Sequence, residues 1–127
     1  VVHGDPWFSN TFLTKNNKII FLDMKGDVAG ELTTNGDALT DFGKILQSLL
    51  GFDFIVNDTL YDPVYLDTLK HHYLNRLVQR GFNMNDVYAV TACLVAKTLS
   101  FLEDGSPHRE AIWNIIECLA LNLEHHS

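Results

Sequence analysis

The residues able to do chemistry stand near the start of the chain, in the string His3-Gly4-Asp5-Pro6-Trp7-Phe8-Ser9-Asn10. Thirteen residues past Asn10, the apolar run Ile19-Ile20-Phe21-Leu22 ends on Asp23. A carboxylate, then an amide oxygen, then a second carboxylate is the order phosphoryl transfer uses: Asp5 for the acceptor hydroxyl, Asn10 and Asp23 for Mg2+. Magnesium takes hard oxygen donors, keeps several waters and completes its shell with nucleotide phosphates, so two protein ligands suffice. A base must also be held rigidly, and Asp5 lies between a helix-incompatible Gly-Asp-Pro turn and the bulky pair Trp7-Phe8, which predicts a loop anchored by aromatic burial. Singly, an Asp-Pro is an ordinary turn and an Asp closing a strand an ordinary cap. Together, the string and the strand-end Asp are rare at ordinary residue frequencies. His3 suits hydrogen bonding to backbone better than proton transfer, and reads as structural support.

The elements that must position these residues are legible as patterns. Thr11-Phe12-Leu13-Thr14 and Lys18-Ile19-Ile20-Phe21-Leu22 flank the polar turn Lys15-Asn16-Asn17, which predicts a hairpin bringing Asp23 back toward Asn10. After residues 24 to 36, four helices follow. Asp37 caps the first, with Leu39, Phe42, Ile45, Leu46, Leu49 and Leu50 on its apolar face and Gly51 at its end. Asp62-Pro63 opens the second, with Leu66, Leu69, Tyr73, Leu74, Leu77 and Val78 inward and Gly81 beyond. The third runs from about Asn85 or Asp86 to Asp104, apolar on much of its girth, and is expected to be central. Ser106-Pro107 starts the fourth, with Ile112, Trp113, Ile115, Ile116, Leu119 and Leu123 at helical spacing. The fold class is therefore α+β, mostly α, with a small β-hairpin carrying the catalytic and metal residues.

Composition bounds the function. At 127 residues and 46% apolar content, the chain is long enough for one core and too short for two ordinary domains. The formal net charge of -7, with nine Lys and Arg forming no run, argues against a nucleic-acid surface. It weakly favours a cationic substrate. Cys93 and Cys118 match no zinc spacing and sit in apolar helical contexts, so both are expected to be buried free thiols in a reducing cytoplasm. No apolar run is long enough for a membrane span. His71 and His72, adjacent on a helix, diverge too far to share a metal and read as surface residues. Phe52, Phe54, Tyr61 and Tyr65 cluster around the first interhelical loop and read as core packing, with a substrate wall for a quaternary amine as the lesser alternative.

His3-Gly4-Asp5 with Asn10, followed by Phe21-Leu22-Asp23, resembles the catalytic loop and metal-binding strand of the aminoglycoside phosphotransferase and choline kinase family, small-molecule kinases similar to protein kinases. The stretch from Asp23-Met24-Lys25-Gly26 through Gly36-Asp37-Ala38-Leu39-Thr40-Asp41-Phe42-Gly43-Lys44 to Gly51-Phe52-Asp53 resembles a bacterial branch of that family found with capsule and surface-sugar biosynthesis. Thr40 and Gly43 depart from the aromatic and Ala usual there. The resemblance covers roughly residues 1 to 53. It implies the helical C-terminal lobe of a protein-kinase-like fold over residues 1–127, with Asp5 as the catalytic Asp, Asn10 and Asp23 as the magnesium ligands, and Asp41 as a buried Asp bracing the catalytic loop. Lys25, two residues past Asp23, is a candidate for a phosphate or an anionic substrate, against the alternative of a solvated lysine.

The resulting expectation is an ATP- and Mg2+-dependent phosphotransferase, cytoplasmic, acting on a hydroxyl of a small molecule such as a sugar, amino sugar or amino alcohol. The nucleotide would lie between this lobe and an N-terminal lobe for which there is no room before Val1. By itself the piece is expected to bind ATP poorly and turn nothing over. Two rivals stand beside it. One is a non-catalytic kinase-like module that binds a nucleotide or a protein partner. The other is a metal-dependent hydrolase using Asp5 and Asp23, which lacks a further His or carboxylate in the same segment to complete a two-metal set.

Overall fold

The computed structural model describes residues 3–22, 24, 27–28, 31–32, 37–102 and 105–126. A single 3-10 turn, Phe8–Asn10, leads into β1 (Thr11–Leu13), which pairs antiparallel with β2 (Ile19–Phe21) in the register Thr11 to Phe21. The turn closes as its residue types require. Asn17 adopts a φ of 60°, a left-handed conformation that asparagine tolerates, and the Thr14 hydroxyl accepts the Lys18 N–H at 3.0 Å. A second minimal pair, β3 (Asp27–Val28) with β4 (Glu31–Leu32), precedes the helices.

Among the described residues five helices follow: α1 (Ala38–Leu49), α2 (Phe52–Val56), α3 (Pro63–Gln79), α4 (Met84–Leu99) and α5 (Pro107–His126). Three of the four expected starts are real caps. Asp37 accepts from Leu39 N–H, Asp62 accepts from Val64 and Tyr65 N–H with Pro63 in the first turn, and the Ser106 hydroxyl accepts from His108 N–H. The third expected helix begins and ends earlier than its periodicity suggests. Asn83 captures the N–H groups of Asn85 and Asp86, and the helix stops at Leu99. Helix α2 is an addition: Gly51, at a φ of 96°, ends α1 and turns the chain directly into five more helical residues, a stretch too short to show a period.

Helix α4 lies against α1, α3 and α5 and is the central element, as its girth implies. The core is Leu46, Leu49 and Phe52 from α1 and α2, Leu66 and Leu77 from α3, Val87, Tyr88 and Val95 from α4, and Ile112, Ile115 and Leu119 from α5. Helices α1 and α4 approach closely at Gly43, where a Cβ would stand 3.0 to 3.2 Å from Leu94, Thr91 and Val90 atoms. Three expectations are corrected. Cys93 and Cys118 are exposed, because α4 and α5 turn those positions outward. Val78 and Trp113 also face solvent, the indole N–H donating to Glu117 at 3.0 Å. Of the four aromatics near the first interhelical loop, Phe52 is core and Phe54 stacks on Tyr61, while Tyr65 points outward. His71 and His72 are exposed as expected, with His71 bonded back to Asp67. Among the described residues no helix is long and apolar enough to cross a membrane.

Candidate functional site

The loop from His3 to Asn10 is held by two carboxylates that arrive from the helices. Asp41, in the first turn of α1, accepts the backbone N–H of His3 at 2.7 Å through Oδ2 and that of Gly4 at 2.8 Å through Oδ1. Gly4 reaches that bond with a φ of 91°, a conformation that favours glycine. At the loop's other end Asp53 of α2, 5% exposed, accepts the Ser9 N–H at 2.8 Å, the Ser9 hydroxyl at 3.0 Å and the buried Ser48 hydroxyl at 2.6 Å. Ser48 Oγ in turn accepts the Phe8 N–H at 2.9 Å. Trp7 and Phe8 pack partly buried against the core, Trp7 against Phe52, so the expected aromatic anchor is present. A carboxylate bonded to backbone N–H groups is a charge-assisted brace, roughly twice as strong as a neutral one.

Within the braced loop, Asp5 and Asn10 come together. Asn10 Nδ2 donates to the Asp5 carbonyl at 3.1 Å and to Asp5 Oδ2 at 3.3 Å. With Nδ2 turned to Asp5, Asn10 keeps Oδ1 as its oxygen for a cation. Asp5 Oδ1 faces the Lys44 ammonium at 3.2 Å, with both side chains partly open to solvent. The His3 ring bonds to backbone on both sides. Its Nδ1 accepts the Asp5 N–H at 3.1 Å, which leaves the proton on Nε2 to be donated to the Leu22 carbonyl at 2.6 Å. The Leu22 N–H donates to the Asn10 carbonyl at 2.7 Å. The end of the hairpin is thus tied to both sides of the loop. Asp23 and Lys25 lie outside the described residues.

Sequence reasoning missed Lys44, Ser48 and Asp53 as parts of this site. A signal for two of them exists in the spacing: Asp41, Lys44 and Ser48 recur at i, i+3 and i+7, a polar stripe on one side of α1, and all three touch the loop. Tyr73 of α3 secures the same helix by donating its partly buried hydroxyl to the Phe42 carbonyl at 2.9 Å. Burial pushes that phenol well above the ordinary tyrosine range, and the nearby Asp41 charge pushes it the same way.

Asp5 and Lys44 open onto a cleft of about 700 Å3 that is also lined by Thr40, Lys97, Thr98 and Phe101. A second hollow, about 440 Å3 and mainly apolar, lies on the other side of α1 against Phe42, Ile45 and Leu49. Among the described residues no three His, Cys, Asp or Glu side chains converge to hold a metal. In comparisons with protein-family models, with curated proteins and with solved structures, nothing matches the chain.

Proposed function

We propose that the chain is the helical lobe of an ATP- and Mg2+-dependent phosphotransferase that acts on a small-molecule hydroxyl, with Asp5 as the residue that orients the hydroxyl and accepts its proton. The observation that carries this reading is the clamp on Asp5. A loop carboxylate is fixed by Asn10 on one side and Lys44 on the other, in a loop braced by Asp41 and Asp53, and faces an open cleft. A preset carboxylate in a cleft is what positioning a hydroxyl for in-line transfer asks of the protein.

Asn10 fits one place in a magnesium shell through Oδ1, and Asp23 is the second proposed ligand by residue type and order. When bound, the ion supplies charge neutralisation on the phosphates. Lys44 contributes a fixed positive charge beside Asp5, which offsets negative charge arriving in the cleft. The hairpin adds further support. Phe12, Leu13, Ile19, Ile20, Phe21 and Leu22 are all exposed, an apolar surface that a second, nucleotide-holding lobe would cover.

The test is transfer of labelled γ-phosphate from ATP to a panel of small alcohols by the polypeptide as its gene encodes it. Phosphorylated alcohol that disappears in Asp5→Ala supports the reading. Nucleotide binding without transfer to any alcohol would favour the non-catalytic module, in which the Lys44 and Asn10 contacts merely cap Asp5. Release of phosphate with no alcohol present would favour the hydrolase.

A further inference from the structure

We infer that the cleft beside Asp5 takes an anionic acceptor: a small ring alcohol that also carries a carboxylate or a phosphate, with the anion held by Lys97 and the apolar ring face on Phe101. This rests on the phosphotransferase reading for the role of Asp5, but the anion subsite itself does not.

The charge of the cleft runs against the charge of the chain. Acids outnumber Lys and Arg by sixteen to nine overall, yet among the described residues the cleft is lined by two lysines and one carboxylate, and that carboxylate already faces Lys44. Among the described residues Lys97 is the charge left over. Among the described residues no carboxylate stands within ion-pair distance of its ammonium. An unpaired ammonium at a concave surface attracts an anion and repels an ammonium-bearing ligand, the reverse of what the net charge suggests. Thr40 adds a hydroxyl able to donate to carboxylate or phosphate oxygens, and the Thr98 hydroxyl, which donates to the Val95 carbonyl at 2.6 Å, can still accept from ligand hydroxyls.

Phe101 is the independent observation. It closes the same cleft, one turn beyond Lys97 in sequence, and is 85% exposed. A phenyl ring left in water beside a polar cleft loses the burial that ordinarily holds phenylalanine inside, and a ligand with a flat apolar face would restore it. Asp5, Lys97 and Phe101 thus present three different chemistries to one ligand: a base for a hydroxyl, a cation for an anion and a ring for an apolar face.

The test uses matched pyranoses, so that only charge varies: glucose, glucuronate, glucose 6-phosphate and glucosamine. Amide resonances of Lys97, Thr98 and Phe101 are followed during titration of the polypeptide with each sugar in the presence of magnesium. Glucuronate or glucose 6-phosphate is expected to saturate at concentrations about five- to ten-fold lower than glucose, with glucosamine weakest, a range set by one partly exposed ion pair. Lys97→Glu should reverse the order, and Phe101→Ala should weaken all four sugars alike. Comparing the two anionic sugars tells a carboxylate site from a phosphate site. Equal affinity for all four sugars, preference for glucosamine, shifts that bypass these residues, or no saturation by either anionic sugar would overturn the inference. ATP turnover is then measured with the same four. Turnover that prefers glucosamine rejects the anion subsite and keeps the phosphotransferase; selective binding of the anions with no turnover of any alcohol keeps the subsite and rejects the phosphotransferase.

Discussion

Asp41 Oδ1 accepts the Gly4 N–H at 2.8 Å, joining the first turn of a helix to the residue just before the candidate base. Its other oxygen takes the His3 N–H, so one side chain satisfies two consecutive backbone donors that secondary structure leaves unpaired. Asp41→Ala is expected to destabilise the fold by about 2–3 kcal/mol, since bonds to a charged acceptor are lost and two donors are orphaned. Amide exchange at His3 and Gly4 should accelerate more than exchange in α5. Unchanged protection at those two amides would show that the loop is held by something else.

At the loop's far end the prediction concerns a network. Asp53→Ala leaves the Ser48 and Ser9 hydroxyls and the Ser9 N–H without their acceptor, and should cost about 2–3 kcal/mol. Ser48→Ala removes one bond to Asp53 and the acceptor of Phe8 N–H, and should cost less. Because the two share partners, the double variant should fall short of the sum by 0.5 kcal/mol or more, on the order found for contacting residues. Chemical denaturation of the four proteins checks this, and strict additivity would separate the two residues energetically.

The proposed division of catalytic labour is testable on the polypeptide as its gene encodes it. Asp5→Ala should lower kcat by about two to four orders of magnitude with nucleotide affinity nearly intact, as expected for a base that does not hold phosphates. Asp23→Ala should abolish magnesium-dependent ATP binding and turnover together, and Asn10→Ala should fall between and respond to added magnesium. Wild-type turnover in either Asp variant, or equal losses of nucleotide affinity in both, would end this assignment.

Tyr73 supplies a pH signature. Its phenol is held protonated by burial in the fold but ionises freely in the unfolded chain near the ordinary value of about 10. A folded pKa above the unfolded one means that the stabilisation is complete below about pH 10 and is lost as pH climbs toward the raised value. Stability should therefore fall in alkaline solution beyond pH 10. Tyr73→Phe should lose about 1 kcal/mol at neutral pH, from the bond to the Phe42 carbonyl, and show a shallower alkaline decline. Part of the decline should persist, since burial raises Tyr88 as well. Parallel pH curves for the two proteins would remove Tyr73 as its source.

The parts of this protein legible in the residues alone are those governed by neighbours within about a turn. The caps at Asp37, Asp62 and Ser106, the hairpin turn at Asn17 and the ends of α1 and α3 depend on side-chain oxygens and φ angles a few residues away, and the sequence displays them directly. The meeting of Asp5 and Asn10 is legible for the same reason, because they stand five residues apart on one loop. What spacing could not decide was which helix face turns inward. Helices α4 and α5 are apolar around much of their girth, so Cys93, Cys118 and Trp113 look buried in sequence and are exposed in the fold. Nor could it reveal that Lys44 pairs with Asp5, that Asp53 ties down Ser9, or that Lys97 and Phe101 share a cleft with Asp5. Those relationships span long separations along the chain, and only the packing of α1, α2 and α4 against the loop sets them, because the free energy that chooses one arrangement of helices resides in the whole core and not in any local pattern.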